Sequence, residues 1–290
     1  MKSAFIRDHR DEFEIQTMCE VLSASKSGYY DWLTRDHDGR EKRILELKIA
    51  IEKAFMGGRG AYGSPRVYLV LKGLGYEVSE ETVAKLMQDM GLKGQASRRF
   101  KVCTTDSKHS FPVAENKLEQ VFDAEKPGEV MLADITFIET GEGWLYLAAV
   151  LDLCSRQLIG WSMGDTIDRH LTIAALHMAL RRQKPTANAI FHSDRGSQYA
   201  CYDFRNQLLA YGLTPSMSRS GNCWDNAPME SFFHTLKVEF VHQEEFATRA
   251  EAKLKIFEWI ETFYNRQRLH SSLGYKTPVA FAAEKMLDAA

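Results

Sequence analysis

At residue 129 the chain changes its hydrophobic period, and this change most constrains its fold. EVMLADITFIE, WLYLAAVLD and QLIGWSMG are β-rich runs separated only by GEG and CSR. Such short turns join antiparallel neighbours and leave no room for a crossover, so the three runs predict an antiparallel meander. Helix and strand then alternate: HLTIAALHMALRRQ, the short buried strand AIFHSD, YDFRNQLLAYG, and the short strand LTPSMS. After the loop RSGNCWDN, a helix is expected from about Ala227 to Val241. A meander followed by alternating elements predicts a mixed-sheet α/β domain over 129–245.

The segments before it read as helices. Residues 1–56 hold EIQTMCEVL, SASKSGYYDWL and EKRILELKIAIEKAF, in which Ile44, Leu47, Ile51 and Phe55 share one stripe. That stripe reads as a packing face, too short for a coiled coil. GGRGAYG breaks the pattern, and residues 57–100 then offer two short helices. In the second, Ser79 suits the N-cap, Glu80 and Glu81 the first turn, Val78 and Val83 a hydrophobic staple, and Gly91 the end. The pair resembles a helix-turn-helix. Its second helix carries Glu80, Glu81 and Asp89 against Lys85, a poor charge balance for phosphates. It therefore reads equally as a groove reader and as a plain helical hairpin.

Lys93, Arg98, Arg99, Lys101 and Lys108 face only Asp106, making a basic connector that extends through a linker at 101–128. It could be a solvated linker or a strand that tracks a DNA backbone. Beyond the α/β domain, residues 246–290 read as a helix from about Arg249 to Tyr264 and a tail, NRQRLHSSLGYKTP.

With 37 basic and 39 acidic residues the net charge is −2, which argues against a uniformly basic surface and leaves room for basic patches. Five scattered cysteines without a CxxC predict a reducing compartment, no disulfide framework and no structural zinc. MKSAFIRDHRDEF lacks an apolar signal core, and no run approaches the roughly 20 residues of a membrane span.

Three acids then stand out by their contexts. Asp134 lies mid-strand among apolar residues, where a carboxylate needs a partner. Asp194 ends the strand AIFHS, where α/β sheets place ligand sites. Glu230 lies in the first turn of its helix, and His234, Lys237 and Val241 follow on one face. Thirty-five residues separate Asp194 from Glu230. Three convergent carboxylates suit a divalent-metal site for phosphoryl transfer, and Lys237 could hold a phosphate beside it. The bland readings are a chance triple among many acids, a turn-former at Asp194 and a solvated Lys237.

The surrounding words carry more. IFHSDRGSQY, SGNCWDNAPMESFFHTLK and FYNRQRLHSSLGYKTP strongly resemble bacterial insertion-sequence transposases of the IS-three type, specifically their catalytic half, OrfB. LDLCSRQLIGWSM, MCEVLSASKSGYYDW and YGSPRVYLVLKGLGY extend the resemblance to nearly the whole chain. Met131 departs from the usual Trp, a change of packing and not of catalysis.

The resemblance implies a ribonuclease-H-like, mixed five-stranded sheet with flanking helices and a helical N-terminal DNA-binding region. It implies that Asp134, Asp194 and Glu230 are the catalytic residues and metal ligands of a DDE triad, with Lys237 the basic residue on the glutamate helix. Two Mg²⁺ ions, replaceable by Mn²⁺, would sit about 3.5–4 Å apart and activate water or a DNA 3′-OH without a covalent intermediate. The implied partners are double-stranded DNA (transposon ends and target), further copies of the chain and an upstream-frame partner or fusion, since this chain begins where OrfB begins. The implied location is the bacterial cytoplasm, at the nucleoid, with no membrane contact. His9 and His37 lack the set needed for the zinc of retroviral integrases.

Gln198, Asn222, Asn226, Arg266, Arg268 and His270 are candidate DNA contacts, together with Arg98, Arg99 and Lys101. For Asn226 helix capping is the stronger reading, and Arg266 and Arg268 could equally pack the tail. His192 reads as a packing or supporting residue, because Mg²⁺ prefers oxygen. Two other readings share the fold: a non-catalytic DNA-binding regulator and a structure-selective nuclease.

Overall fold

The computed structural model describes residues 1–34, 37–95, 111–219 and 223–288. They form two compact units, Met1–Ala54 and Phe55–Ala290. In the first, α1 (Lys2–Asp8), α2 (Ile15–Val21) and α3 (Lys26–Thr34) bury Ile6, Met18, Cys19 and Tyr29 together. The long α4 (His37–Gly57) begins here and runs into the second unit. Of the predicted stripe, Leu47 and Ile51 are buried and Ile44 and Phe55 half-buried, with Ala50 and Ala54 buried alongside them.

The second unit opens with a helical hairpin, α5 (Ser64–Gly73) and α6 (Glu80–Asp89). Ser79 caps α6 by accepting a bond from the Thr82 amide at 3.3 Å. Gly91 then turns the chain at φ +69, a left-handed conformation that favours glycine. Val67, Leu71, Val83, Leu86 and Met87 are the buried apolar residues of the hairpin.

The sheet contains β1 (Val130–Thr140), β2 (Gly143–Asp152), β3 (Leu158–Gly164), β4 (Ile190–Ser193) and β5 (Thr214–Met217), in the order β3-β2-β1-β4-β5. The meander is antiparallel, and β4 and β5 add in parallel. Parallel addition needs crossovers, supplied by α7 (Arg169–Arg182) and by α8 (Ser197–Ala200) with α9 (Tyr202–Ala210). Met131, Ala133, Ala148 and Val150 of the sheet pack with Ala175, Leu176, Phe204 and Leu208 of these helices. Met131, the departure from the family pattern, is fully buried and pairs with Phe191. At Gly160 a Cβ would come within 2.3 Å of the Ala175 carbonyl, so glycine lets α7 lie directly on β3.

The remaining helices are α10 (Ala227–Glu239), α11 (Arg249–Glu258) and α12 (Pro278–Asp288). Three boundaries differ from expectation. α10 stops before Val241 because Phe240 takes φ −141 and ψ −67. Its buried ring stacks 6.1 Å from Trp259. The expected helix to Tyr264 turns π-helical over Trp259–Tyr264. The wider turn brings Trp259 and Tyr264, five residues apart, into stacking at 5.4 Å, and lets four large side chains face inward. The tail is not all irregular, since Pro278 begins α12 in the first helical position, where its missing N–H costs nothing. Asn265 bonds the Leu158 N–H and C=O, both at 3.0 Å, and so ties the tail to the start of β3.

Candidate active site

Along β1, Met131, Ala133 and Ile135 belong to the core beneath α7 and α9. Strand alternation therefore turns Asp134 to the other face, where α10 packs against β1. Its Oδ1 accepts the Ile135 N–H at 2.8 Å. Burial first, then the charge of Asp194 and to a lesser degree Glu230, raises its pKa well above the usual carboxylate range; Lys237 opposes this. The three carboxylates predicted from sequence thus share one electrostatic environment, with Lys237 beside them.

Asp194 follows β4, and its Oδ1 accepts the Gly196 N–H at 2.9 Å. A Cβ at Gly196 would lie 2.6 Å from Gln198 Oε1 and 3.0 Å from Asp194 Oδ1. Glycine is what allows Gln198 to lie against the Asp194 turn. Glu230 stands in the first turn of α10, and desolvation raises its pKa. Lys237 is half-buried, its Nζ 4.7 Å from the Phe137 ring, which in turn meets Trp144 edge-on at 4.9 Å. Desolvation lowers its pKa and Asp134 raises it.

Several supporting residues were not legible in the sequence. Asp225 is fully buried and acts as a clamp. Its Oδ2 accepts from Asn116 Nδ2 at 2.9 Å and from Arg219 N and Nε at 2.7 and 3.0 Å. Its Oδ1 accepts from Gln120 Nε2 at 3.0 Å and Arg219 Nη2 at 2.8 Å. The Arg219 side-chain bonds, above all, hold its pKa well below the usual range. Residues 116–120, expected as part of a linker, are therefore bonded into the core; Lys117 N also donates to Ser216 Oγ at 2.9 Å. The run WDN offered the only signal, and periodicity does not say which of its three side chains points inward.

Asn226 corrects the capping expectation. It is the first residue before α10, yet its side chain makes no cap bond. Instead Nδ2 donates 3.1 Å to the carbonyl of Ala133, the residue before Asp134. The start of α10 is thereby pinned beside Asp134, one helical turn ahead of Glu230. Tyr199 is buried; burial, then the charges of Asp134 and Asp194, raise its pKa well above the usual range. His192 is fully buried between Ser216 Oγ at 2.9 Å and Ser218 Oγ at 3.1 Å, and burial lowers its pKa to about 4. It is a neutral strut between β4 and β5, the supporting role expected for it.

The other candidate contacts divide. Arg266 is exposed. Arg268 is 4% exposed and binds Glu239 through Nε at 2.7 Å and Nη2 at 2.6 Å. Its guanidinium is thus committed to joining the tail to the end of α10, the packing alternative. His270 packs edge-on against Tyr264, and burial pushes its pKa down to about 3. Arg98, Arg99, Lys101 and Asn222 lie outside the described residues. Among the described residues, no three His, Cys, Asp or Glu side chains stand close enough to enclose a metal ion.

The five-stranded mixed sheet thus carries Asp134 on β1 and Asp194 just past β4, with Glu230 on the helix that packs across its face. Two family models described as "Integrase core domain" match residues 124–223 and 211–278, and one described as "HTH-like domain" matches residues 41–100, beginning inside α4. The chain is 45% identical over 264 residues to an insertion element IS600 uncharacterized 31 kDa protein of Shigella sonnei, covering 91% of this chain and 97% of that one. It is 43% identical over 283 residues to the transposase InsF for insertion sequence IS3A of Escherichia coli (strain K12), covering 97% and 98%. The chain belongs to this family of insertion-sequence transposases. Among solved structures, the HTLV-2 integrase catalytic core domain in complex with magnesium aligns at TM-score 0.42 and 15% identity, over 54% of this chain and 97% of that one. A simian T-cell lymphotropic virus intasome aligns at TM-score 0.47 and 12% identity, over 79% and 73%.

Proposed function

We propose that the chain cuts phosphodiester bonds at the ends of an insertion sequence and joins the freed 3′-OH to target DNA, with Asp134, Asp194 and Glu230 as its catalytic metal ligands. The observation that carries this is Asp134, whose pKa is driven up by burial and by the other two acids together. The three side chains stand too far apart here to enclose an ion, yet they are all-oxygen donors of the kind a hard divalent cation such as Mg²⁺, or Mn²⁺ in its place, takes. When bound, two such ions would activate the attacking oxygen and stabilise the leaving one.

The protein's own groups do the rest. Asn226 and the Ile135 amide hold the approach of α10 and the Asp134 carboxylate in place. The Gly196 amide orients Asp194. Lys237, Gln198 and the exposed Arg266 are assigned to DNA phosphates. Arg98, Arg99, Lys101 and Asn222 are assigned the same role from sequence alone. The α5–α6 hairpin and the connector after it are the further DNA-binding region, within the domain order 1–56, 57–100, 101–128, 129–245 and 246–290. Holding two DNA ends calls for more than one copy of the chain, and an upstream-frame product would supply end selection. The working place is the cytoplasm, at the nucleoid; among the described residues no helix is long and apolar enough to cross a membrane.

The test is Mg²⁺-dependent cleavage and joining of oligonucleotides carrying the element's ends. Asp134→Asn, Asp194→Asn and Glu230→Gln should each abolish both steps. Intact activity in any one of them would remove that residue from the site.

A further inference from the structure

Glu230 and Glu239 stand near the two ends of one helix. α10 runs from Ala227 to Glu239, so about 13 Å of helix axis separates the two glutamates. The start of the helix is fixed by the Asn226 bond to the Ala133 carbonyl. The end is fixed by Glu239. Its Oε2 accepts from Arg268 Nε at 2.7 Å and its Oε1 from Arg268 Nη2 at 2.6 Å, a fork of two bonds. That guanidinium bonds nothing else, since its Nη1 is buried without a partner among the described residues. A second guanidinium, Arg66 of α5, approaches the same Oε1 at 3.9 Å. It lies 5.5 Å from the centre of the Tyr62 ring. The Tyr62 hydroxyl donates to Gln267 O at 3.2 Å and accepts from Leu269 N at 3.0 Å. The last residue of α10, the tail at 267–269 and the start of α5 thus meet around one carboxylate. Phe240 leaves the helix, so no further turn of α10 holds this end.

A buried ion pair is a poor source of stability, because apolar side chains of similar volume hold a core at least as well. Glu239 is 10% exposed and Arg268 5%, so both charges are withdrawn from most of their water. What a two-bond fork supplies, and apolar packing does not, is a fixed orientation. Apolar contacts let a helix roll about its axis. A fork at one end and an amide bond at the other do not. The roll matters for Glu230. In a helix about 10–12 Å across, its carboxylate stands about 6 Å from the axis, and a roll of about 10° moves it by about 1 Å. A displacement of that size at a reacting centre can cost about a hundredfold in rate. Building on the role given to Glu230 above, we propose that Glu239, through its fork with Arg268, is a positioning residue: it sets the roll of α10 and hence where the Glu230 carboxylate stands relative to Asp134 and Asp194.

Two variants of the full chain test this. Arg268→Lys keeps the buried charge pair and removes the fork, since an ammonium is a point charge without the planar pair of donors. Glu239→Gln keeps the shape and removes the charge. Both are compared with wild type at a temperature where circular dichroism shows each one folded, and Arg268→Lys, the milder change, decides alone where Glu239→Gln does not fold. At saturating end duplex the cleavage rate should fall about tenfold or more. KM for the duplex should not move, and the Mg²⁺ concentration giving half-maximal rate should rise. The second readout needs no metal. In chelator, hydrogen exchange over 229–234, the turn around Glu230, should quicken in the variants. A pair that merely stabilises the tail would quicken exchange only over 263–270 and the last turn of α10. It would also lower the yield of active protein without moving the Mg²⁺ dependence. That pattern would overturn the proposal, and so would wild-type rate and metal dependence in Arg268→Lys. Absence of Mg²⁺-dependent cutting by wild type, or full cutting by Glu230→Gln, would instead sink the proposed function, while the exchange result still decides whether the fork holds the Glu230 turn.

Discussion

Asp225→Asn removes one charge and one acceptor from the centre of the clamp at almost unchanged volume. The new side chain can keep its oxygen where Oδ2 now accepts from Asn116 and Arg219. Its NH₂ group then faces Gln120 Nε2, donor against donor, where Oδ1 now accepts. One hydrogen bond to a charged acceptor is lost, worth about 1.5–3 kcal/mol. The Arg219 side chain is 53% exposed, so water replaces its share and nothing is added for it. The expected cost is about 2 kcal/mol at pH 7, or a fall of roughly 4–8 °C in melting temperature for a unit of this size. The pH dependence has a definite sign. Because the folded pKa of Asp225 is depressed, its contribution is fully present above the unfolded value of about 3.9 and is lost as pH falls through the folded one. The gap between wild type and variant should hold from neutral pH down to about pH 5 and narrow progressively as pH falls below about 4. Thermal and urea unfolding followed by circular dichroism read both quantities. A gap under about 0.5 kcal/mol at pH 7, within the range of ordinary surface substitutions, or one unchanged at low pH, would refute the clamp.

Asp134→Asn should abolish DNA cleavage yet melt higher than wild type in chelator at neutral pH, because it removes a charge that burial and Asp194 disfavour; an unchanged or lower melting temperature would contradict that electrostatic reading. Arg268→Ala leaves the largely buried Glu239 with only Arg66, 3.9 Å away, and should cost about 3 kcal/mol in unfolding experiments. DNA affinity of the folded fraction should stay unchanged, and selective loss of binding would instead restore Arg268 as a DNA contact. Gly196→Ala should slow strand cleavage with little change in melting temperature, since the new methyl group presses on Gln198 and Asp194 and on no core residue; wild-type cleavage kinetics would show that this turn tolerates displacement.

The sequence by itself determined the sheet and the helix order. Three β-rich runs joined by GEG and CSR can pair only as antiparallel neighbours, and the alternation after them forces parallel addition of β4 and β5. The placements of Asp134, Asp194 and Glu230 were legible for the same reason, mid-strand, strand end and first helical turn being positions that element type defines, whereas reading them as one site came from the family resemblance of the words around them. Contacts between segments distant in the chain leave no local pattern. Asp225 reads like any acid in a turn until Asn116 and Gln120, more than a hundred residues earlier, fold onto it. Asn226 reads as a helix cap until β1 offers the Ala133 carbonyl. Arg268 reads as a basic tail residue until Glu239 meets it inside the protein. Phe240 and Trp259 likewise end one helix and widen another, because stacking outweighs the regular helical period. Local propensity and period decide which elements form, whereas only packing decides which polar groups are desolvated. That second decision separates a charge available to DNA from one committed to the core.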